Sequence, residues 1–388
     1  MRPLRILMTN NTLAGRAGSE LYVRDLALAL LRRGHSPIAY SARLGEVARE
    51  MKALTIPVID DLRDMAAAPD IIHGQHHLET MTAVLSYPST PALFVCHGWK
   101  PWQEAPPVHP NILRYVAVDD LCRERLLTTR GIVPQATETI YNFVDLERFA
   151  QRRDLPDRPR RALVFSNVQQ AIPEPVRRAC AAAGIETVDI IGAKAGTAVA
   201  EPGTVLAGYD IVFAKARAAI EAAASGCAVI VMDQDGLAGM VTSANFDELR
   251  RLNFGVRSLQ TNAITETTLA RQIALYDRRD ALAVSDRMRA EGNMGIAIDA
   301  WLRVYDAVLS DWEQASAAID DRSRMRAAAD YLRTLYGPLK SRDEVQAQHR
   351  RSEEENRALR RQLDGMRGSR IWKLAERYER LRTRLTGR

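Results

Sequence analysis

Three charged residues follow a short apolar run in the second half of the chain and could hold an anionic ligand. The run "DIVFA" (210–214) predicts a β-strand, and the alanine-rich segment after it predicts a helix that stops at Gly226. Lys215 and Arg217 fall at the predicted helix start, where the helix dipole disfavours a cation unless an anion binds there. Lys215 is therefore a candidate diphosphate contact. Glu221 could accept two hydrogen bonds from a ribose diol, or it could form an i,i+4 ion pair with Arg217.

Two further loops of the same half follow predicted strands. Asn167 ends the run "ALVFSN". The stretch "MDQDGLAGM" (232–240) contains a D-x-D pattern, which holds a divalent metal in some sugar transferases. Because Gly236 and Gly239 lie in the same stretch, we interpret it as a turn or a ligand-binding loop and predict no metal there.

A glycine-bearing loop near the start of the chain, "AGRAGSE" (14–20), leads into a helix. Backbone N–H groups at such a helix start could hold a phosphate or the hydroxyls of a sugar, beside Gly15, Gly18 and Glu20. The alternative is that the two glycines only permit a tight turn. The loop does not match the G-x-G-x-x-G dinucleotide fingerprint.

Histidines follow two other predicted strands of the first half. His97 comes directly after "LFVC", where it could hydrogen-bond a substrate hydroxyl or serve a structural role. His73, His76 and His77 cluster in "IIHGQHH". They have no acidic or cysteine partner at an obvious ligand spacing, so we predict structural or supporting roles for them and no metal site.

The elements that position these loops alternate between short apolar strands and helices, which predicts two doubly wound, Rossmann-like α/β domains. We place one domain at 1–150 and a second at 151–295, joined by the charged linker "AQRRDLPDRPRR". In the second domain "NFGVRSL" (253–259) is predicted as a strand. A helix at 296–310 is expected to close that domain. Ligands of such folds bind beyond the carboxyl ends of the strands.

Composition excludes several classes of protein. The chain has 388 residues, of which 46% are apolar, and its apolar runs are too short to cross a membrane. It opens without the apolar segment of a secretory signal. Its widely spaced cysteines predict neither a disulfide framework nor a zinc site and fit a cytoplasmic protein. These are Cys96, Cys122, Cys180 and Cys227.

The net charge of +6 resides in the last 22 residues, which hold eight Lys or Arg and two Glu. A helical arm at 311–366, with a thin apolar stripe, is a possible weak coiled coil and could mediate homo-oligomer formation. The tail at 367–388 combines Trp372 with many arginines, as in helices that lie on the surface of anionic membranes. We therefore predict that it lies on the inner face of the membrane. Packing on another subunit is the alternative. Nucleic acid is disfavoured because the rest of the chain is formally neutral.

Stretches in chain order between about residues 4 and 310 resemble a retaining, family 4-like glycosyltransferase of the GT-B fold. "AGSELYVRDLALALLRRGH" resembles the opening G-G-x-E…G-H segment, and "PDIIHGQ" and "LFVCHGW" resemble the following strand ends. "IYNFVDLERF" resembles the N-G-V-D…F stretch at the crossing between domains, with Asn142 and Asp145 matching. "ARAAIEAAASGCAVIVMDQDGLAGM" resembles the donor motif.

The resemblance implies a hexosyltransferase that moves a sugar from a nucleotide-sugar to a glycan or lipid-linked acceptor, in bacterial surface polysaccharide synthesis. It implies that Glu221 holds the donor ribose, that Lys215 and Arg217 neutralise the diphosphate, and that His97 contacts the transferred sugar. It further implies that 151–295 is the nucleotide-sugar-binding domain and 1–150 the acceptor-side domain. The expected donor site consists of Asn167, Lys215, Arg217, Glu221, Gly236 and Gly239, and the expected acceptor-side loop residues are Gly15, Gly18, Glu20 and His97. The resemblance also implies retention of anomeric configuration, with no metal or other cofactor.

Two positions depart from the family pattern. Phe213 stands where the family has the first glutamate of its pair, and "VFSNVQQAIPE" replaces the usual basic pair after the first strand of the second domain. Diphosphate binding would then shift onto Lys215 and Asn167. Two alternatives therefore stay open: a nucleotide-sugar epimerase of the same fold, and a non-catalytic scaffold.

Overall fold

The computed structural model describes residues 2–150, 152–260, 262–368, 372 and 378. Residues up to Arg324 form one compact unit, and residues from Met325 onward form a second. The first unit contains two α/β domains.

The first domain is built on a parallel sheet whose strands are short apolar runs. These are β1 (Arg5–Thr9), β2 (Ser36–Tyr40), β3 (Val58–Ile59), β4 (Ile71–Gln75), β5 (Ala92–Cys96), β6 (Ile112–Ala117) and β7 (Thr137–Thr139). Across the part of the chain that the structure describes, the seven strands lie in the order β3-β2-β1-β4-β5-β6-β7. Every residue of β4 and β5 is buried, because helices cover both faces of the sheet.

The helices of the first domain follow the strands and place polar residues beyond the carboxyl ends. They are α1 (Gly18–Arg32), α2 (Glu46–Ala53), α3 (His77–Ser86) and α4 (Asp120–Thr128). Helix α4 starts where the Asp119 carboxylate accepts a hydrogen bond of 2.6 Å from the Cys122 N–H. Helix α1 turns a largely apolar face to the sheet, yet Arg24 and Asp25 are buried on it.

The second domain repeats this architecture on a smaller sheet. Its strands are β8 (Arg161–Phe165), β9 (Thr187–Ile191), β10 (Ile211–Ala214), β11 (Ala228–Asp233) and β12 (Gly236–Met240). Its helices are α5 (Glu174–Ala182), α6 (Pro202–Leu206), α7 (Ala216–Ala224), α8 (Phe246–Arg251), α9 (Glu266–Ile273) and α10 (Arg278–Glu291). The strand order is β12-β11-β10-β8-β9, and β12 alone among these described strands runs antiparallel.

One strand of this sheet differs from the sequence prediction. The stretch 253–259, predicted as a strand, forms turns, because Asn253 and Phe254 adopt positive φ angles of 55° and 49°. The edge strand is instead β12, inside the stretch interpreted as a loop. The two-residue connection Gln234-Asp235 joins β11 to β12, and Asp233 pairs with Gly236 beside it.

The crossing between the domains is fixed by backbone hydrogen bonds. The Val144 N–H donates to the Gly292 carbonyl at 2.8 Å, and the Met294 N–H donates to the Val144 carbonyl at 3.1 Å. Helix α11 (Met294–Ala315) begins at this point, with the Asn293 side chain accepting from the Gly295 N–H.

Helix α11 packs on the first domain, whereas the sequence led us to expect it on the second. Trp301 and Tyr305 are fully buried, and the Tyr305 hydroxyl lies 2.8 Å from His73 Nδ1 at the centre of the first sheet. The Trp301 ring lies 4.6 Å from the His73 ring, centroid to centroid. The aromatic face of α11 therefore packs against β6 and α1 and contacts His73 of β4.

A long helix, α12 (Asp321–Gly368), accounts for most of the described residues beyond the first unit. It agrees with the helical arm predicted at 311–366, apart from a break after Ala315. The coiled coil stays a prediction, and the basic tail predicted at 367–388 lies largely outside the described residues. Across the described ranges, no helix is both long and apolar enough to span a bilayer.

Candidate active site

The start of α7 places two cations at the carboxyl end of β10. Lys215 is the residue before the helix, and its ammonium pairs with the Asp233 carboxylate at the end of β11. Ala216 has a φ angle of +48°, an unfavourable conformation for a residue with a side chain. Such strain costs about 1–3 kcal/mol and is concentrated at functional sites. The strained turn thus holds Lys215 at the carboxyl end of β10 in the second sheet.

Arg217 links the two domains through ion pairs. Its Nε donates to Glu221 Oε1 at 2.7 Å, and its Nη2 donates to the Asp25 carboxylate on α1. Asp25 and Glu221 are only 3% and 5% exposed. Buried pairs of this kind are costly to break on one side, because the remaining charge loses its partner.

The pair belongs to a larger group, here called the interdomain ion-pair network: Arg24, Asp25, Glu50, Arg148, Arg217 and Glu221. Arg24 bonds Asp25 at 2.7 Å and Glu50 at 2.9 Å, and Arg148 lies 3.6 Å from Asp25. The guanidinium groups, led by Arg217, hold the pKa of Asp25 below its usual range despite burial. Burial raises the pKa of Glu221, although Arg217 opposes that effect.

The glycine loop of the first domain contacts the second domain next to this network. The Arg16 carbonyl accepts a 3.2 Å hydrogen bond from Asn167 Nδ2, and Arg16 Nη2 donates to the Ala200 carbonyl at 2.9 Å. Gly15 and Gly18 lack a positive φ angle, and a Cβ on either would meet nothing within 4 Å. A tight turn therefore does not require glycine at either position. The space beside both residues is open.

On the first domain His97 lies beyond β5 in a largely apolar and aromatic setting. Its ring packs edge-on against Tyr22 of α1 at 4.6 Å, and its backbone N–H donates to Glu104 Oε2 at 2.9 Å. Glu104 also pairs with His76, whose φ angle is +59°. Burial lowers the pKa of His97 to about 4, so the imidazole is neutral at pH 7. It can therefore donate or accept a hydrogen bond without carrying charge.

Several buried polar atoms near the ends of β1, β4 and β5 have no hydrogen-bond partner within the described residues. They are Asn10 Oδ1, His97 Nε2, and both Gln75 side-chain atoms, Oε1 and Nε2. Gln75 and Asn10 are fully buried. Unsatisfied buried polar atoms are destabilising by about 1–3 kcal/mol each, and a ligand with several hydroxyl groups would satisfy them.

The remaining predicted site residues have structural contacts of their own. Glu20 is 4% exposed and accepts from Ser19 Oγ at 2.9 Å, and burial raises its pKa. Asp145 accepts from the Glu147 N–H at 2.9 Å, in the crossing that also contains Asn142. Asn167 Oδ1 accepts from the Ala193 N–H at 3.1 Å.

Gly236 and Gly239 are explained by packing. A Cβ on Gly236 would lie 1.9 Å from the Leu259 carbonyl oxygen, and one on Gly239 would lie 2.5 Å from Gln272 Oε1. Both positions also have φ angles that L residues rarely adopt, +156° and +121°. The strand β12 accordingly requires glycine at both positions, whatever they contribute to a donor site.

Phe213, the departure from the family pattern, lies inside β10 and is 1% exposed. It packs in the apolar layer between the sheet and helices α5 and α9. Lys215 is the one residue between β10 and α7. The structure therefore lacks a loop at this point, and a carboxylate at position 213 would be buried in the core instead of facing the cleft.

The possible metal-binding groups noted in the sequence are dispersed or paired. Asp233 is engaged by Lys215, and the four cysteines are free and buried. Across the described ranges, no three His, Cys, Asp or Glu side chains converge in a metal-binding arrangement. The absence of a metal cofactor stays a prediction.

The comparisons with known proteins agree with this architecture. Residues 16–148 match the sequence model of Glycosyltransferase Family 4. The whole chain is similar to a solved glycosyltransferase from Rickettsia africae ESF-5 at 13% identity, with a TM-score of 0.56 and coverage of 80% of this chain and 99% of that one. It is also similar to HepE of Anabaena, solved in complex with UDP and glucose, at 13% identity, a TM-score of 0.54 and coverage of 78% and 99%. No curated protein matches the chain.

The two α/β domains have the GT-B fold of these solved structures, and residues 16–148 resemble Glycosyltransferase Family 4. The predicted fold class and the family resemblance are thereby confirmed. At 13% identity the two solved structures establish the fold alone, and the residue roles inferred from the family stay predictions.

Some residues of the candidate site could not be singled out from the sequence. Asp25, Arg148, Gln75 and Glu104 take part only through contacts between distant segments. One local signal existed, since "RD" interrupts the apolar stretch "LYVRDLALALL", and a charged pair on the buried face of a helix needs partners.

Proposed function

We propose that this glycosyltransferase moves a sugar from a nucleotide-sugar donor to a glycan or lipid-linked acceptor, with retention and without a metal ion. The observation that carries the proposal is the position of Lys215 and Arg217 at the start of α7, beyond the carboxyl end of β10 and facing α1 of the acceptor-side domain. We infer that surface polysaccharide synthesis is its setting from the family resemblance.

In this reaction, the residues at the start of α7 would stabilise the diphosphate leaving group. The bond between the anomeric carbon and the diphosphate oxygen breaks, and its electron pair stays with the diphosphate. Lys215 and the first turn of α7 are positioned to stabilise that negative charge, with Asn167 as a further donor. Fixed cations and helix N-termini perform this task without a metal ion. Retention requires the acceptor oxygen to bond on the face from which the diphosphate departs.

Donor binding requires the ion pairs to rearrange. The Lys215–Asp233 and Arg217–Glu221 pairs occupy the charges that a diphosphate and a ribose would use. If Glu221 is to hold a ribose diol through both oxygens, Arg217 must release Oε1. Arg217 keeps Asp25 as a second partner, so this exchange does not leave its charge unpaired.

His97, with Gln75 and Asn10, is proposed to bind the hydroxyls of the transferred or accepting sugar. This role is supported by their unpartnered buried polar atoms within the described residues and by the neutral state of His97, whose pKa of about 4 results from burial. A neutral imidazole suits a hydroxyl group better than an anion.

The experiment is a thermal-shift screen of the protein against nucleoside diphosphate sugars, repeated for Lys215→Met and Glu221→Gln. Lys52→Met is the matched control, because Lys52 is an exposed lysine in the last turn of α2, far along the chain from the site. We expect one nucleotide family to raise the Tm of the parent and the control and to lose most of its effect in both site variants. No stabilisation by any nucleotide-sugar would contradict the proposal.

Product analysis with the stabilising donor then distinguishes the possible activities. Transfer to an acceptor supports the proposal. Conversion of the donor to its isomer would support an epimerase, and binding without any product would support a scaffold.

We further propose that the basic tail at 367–388 attaches the enzyme to the cytoplasmic face of an anionic membrane and that the helical arm forms a homo-oligomer. Replacement of Arg370, Lys373, Arg377 and Arg380 by Gln is expected to abolish co-sedimentation with phosphatidylglycerol vesicles. Neutral phosphatidylcholine vesicles should bind neither the parent protein nor the Gln variant.

Light scattering tests the proposed homo-oligomer. A monomeric mass at all protein concentrations would contradict oligomer formation.

A further inference from the structure

A pocket of about 670 Å³ lies at the crossing between the two α/β domains. Its walls come from the segment after β7, from α8 of the second domain and from the first turns of α11. The volume is in the range of small-molecule sites. None of the residues proposed above to bind donor or acceptor lines it.

Arg250 is the central polar group of this crossing pocket. It is 5% exposed, and its guanidinium lies over the Tyr141 ring at 5.4 Å. Its Nη1 is a buried donor without a hydrogen-bond partner in the described part of the chain. Burial lowers the pKa of Arg250 to about 10, with Glu291 opposing the decrease, so the group is still charged at pH 7.

The acidic residues of the pocket do not neutralise this charge fully. Asp247 and Glu291 both line the pocket, but both bond Arg287, at 2.5 Å and 3.0 Å, and Arg287 is not a lining residue. Arg251, on the same turn as Arg250, adds a second, exposed cation to the lining. The two carboxylates of the lining thus bond Arg287, whereas Arg250 Nη1 has no hydrogen-bond partner among the described residues.

The rest of the wall is apolar or aromatic. Tyr141, Phe143, Ile296, Ala297 and Ala300 line it together with Ile140. A buried arginine beside an aromatic wall fits a ligand with an anionic group at one end and a ring or short apolar group at the other.

From this geometry we infer a second ligand site, for a small organic phosphate or carboxylate with an apolar or ring portion. The anion bonds Arg250 Nη1 and lies near Arg251, and the apolar portion packs on Tyr141 and Phe143. Because the walls belong to both domains and to the crossing, the bound ligand contacts both domains. This inference goes beyond the transfer reaction and does not depend on it.

The test is isothermal titration of the full-length protein with four named probes. Phenyl phosphate and phenylacetate carry a ring and an anion, phenol carries the ring alone, and inorganic phosphate carries the anion alone. We expect one of the two ring anions to bind at least about 10-fold more tightly than both phenol and phosphate, which also tells a phosphate ligand from a carboxylate ligand. Equal binding of phenol, or no binding of either ring anion at millimolar concentration, would overturn the inference.

Variants assign the binding to this pocket. Arg250→Gln is expected to lower the affinity for the tighter-binding ring anion by about 10- to 100-fold, the usual effect of losing a hydrogen bond to a charged group. Ala300→Phe fills the pocket and leaves its charges intact, so it should also weaken binding. This variant tests the site if Arg250→Gln fails to fold. Arg271→Gln is the control, because Arg271 is also an arginine in the last turn of a helix, α9, but is exposed and lies outside the pocket.

The same titration separates this site from the proposed donor site. Lys215→Met should bind the ring anion like the parent protein, and a nucleotide-sugar that stabilises the protein should not displace the ring anion. If the Lys215 variant loses binding, or if Arg250→Gln and Ala300→Phe both keep it, the crossing pocket is not the site.

Discussion

At the scale of single residues, the cleft is controlled by cations whose partners are themselves charged side chains. Lys215 pairs with Asp233, and Arg217 pairs with both Glu221 and Asp25. These pairs keep the cations in place without a substrate and define the contacts that a diphosphate must replace. The ion pair between Arg217 and Glu221, one of two interpretations of the sequence, is present, and the ribose role of Glu221 stays a prediction.

Lys215→Met should lower kcat for sugar transfer by about 100- to 1,000-fold, because a fixed charge at the leaving group acts mainly in the transition state. The KM for the acceptor should change little, since Lys215 belongs to the donor side. Initial rates at saturating donor, with Lys52→Met as the control, measure both quantities. A kcat within twofold of the parent value would remove Lys215 from the proposed machinery.

Glu221→Gln should lower the free energy of unfolding by about 2 kcal/mol, since it removes the charge from a hydrogen bond inside the buried network. The matched control is Glu174→Gln, in which the glutamate also pairs with an arginine four residues away, Arg178, but on an exposed helix surface. Urea unfolding of both variants provides the comparison, and we expect the control to be indistinguishable from the parent. Equal losses in the two variants would show that burial of the network adds nothing.

At the scale of elements, the alternation of strands and helices could be predicted from the sequence. The sequence did not predict which strand or surface each element packs against. Local patterns locate β10 and α7 because a buried strand and an alanine-rich helix have distinct compositions. The edge strand β12 was missed because its glycines look like a loop, and its hairpin is stabilised by pairing with β11. The packing of α11 on the first domain was missed because an amphipathic helix does not specify which apolar surface it covers.

The same reasoning limits what could be predicted of the site. Lys215, Arg217 and His97 follow strands directly, so their positions at the sheet edges follow from chain order. Asp25 and Gln75 join them only through contacts across the fold, and a single sequence does not encode those contacts locally.

Gly236→Ala tests the origin of β12. The new Cβ would lie 1.9 Å from the Leu259 carbonyl oxygen, so the strand must shift, and we expect a loss of about 2–4 kcal/mol in the free energy of unfolding. Gly184→Ala is the control, because Gly184 also has a positive φ angle, +75°, but its Cβ would meet nothing within 4 Å. Its cost should be only about 1–2 kcal/mol, the cost of the backbone conformation. Equal costs at both positions would show that the close approach to Leu259 is not what requires glycine.

At the scale of the whole molecule, buried histidines couple the stability of the first domain to pH. Burial lowers the pKa of His73 to about 3 and that of His77, His97 and His109 to about 4. An unfolded chain has its histidines near 6.5. Below pH 6.5 the unfolded state therefore binds protons that the folded state excludes until about pH 4. The stabilisation is complete above pH 6.5 and decreases as the pH falls toward 4.

We expect the urea midpoint to fall steeply between pH 6.5 and 5, with each of the four histidines contributing up to about 1.4 kcal/mol per pH unit. His109→Gln should make this slope shallower, whatever its effect on stability at pH 7.5, because it removes one of the excluded protons. His349→Gln is the matched control, since His349 is exposed on α12. The slope is the informative quantity because it counts protons and is independent of the packing lost by substitution. If the slope is the same in all three proteins, the buried histidines do not determine the acid sensitivity, and the carboxylates of the interdomain ion-pair network become the groups to test.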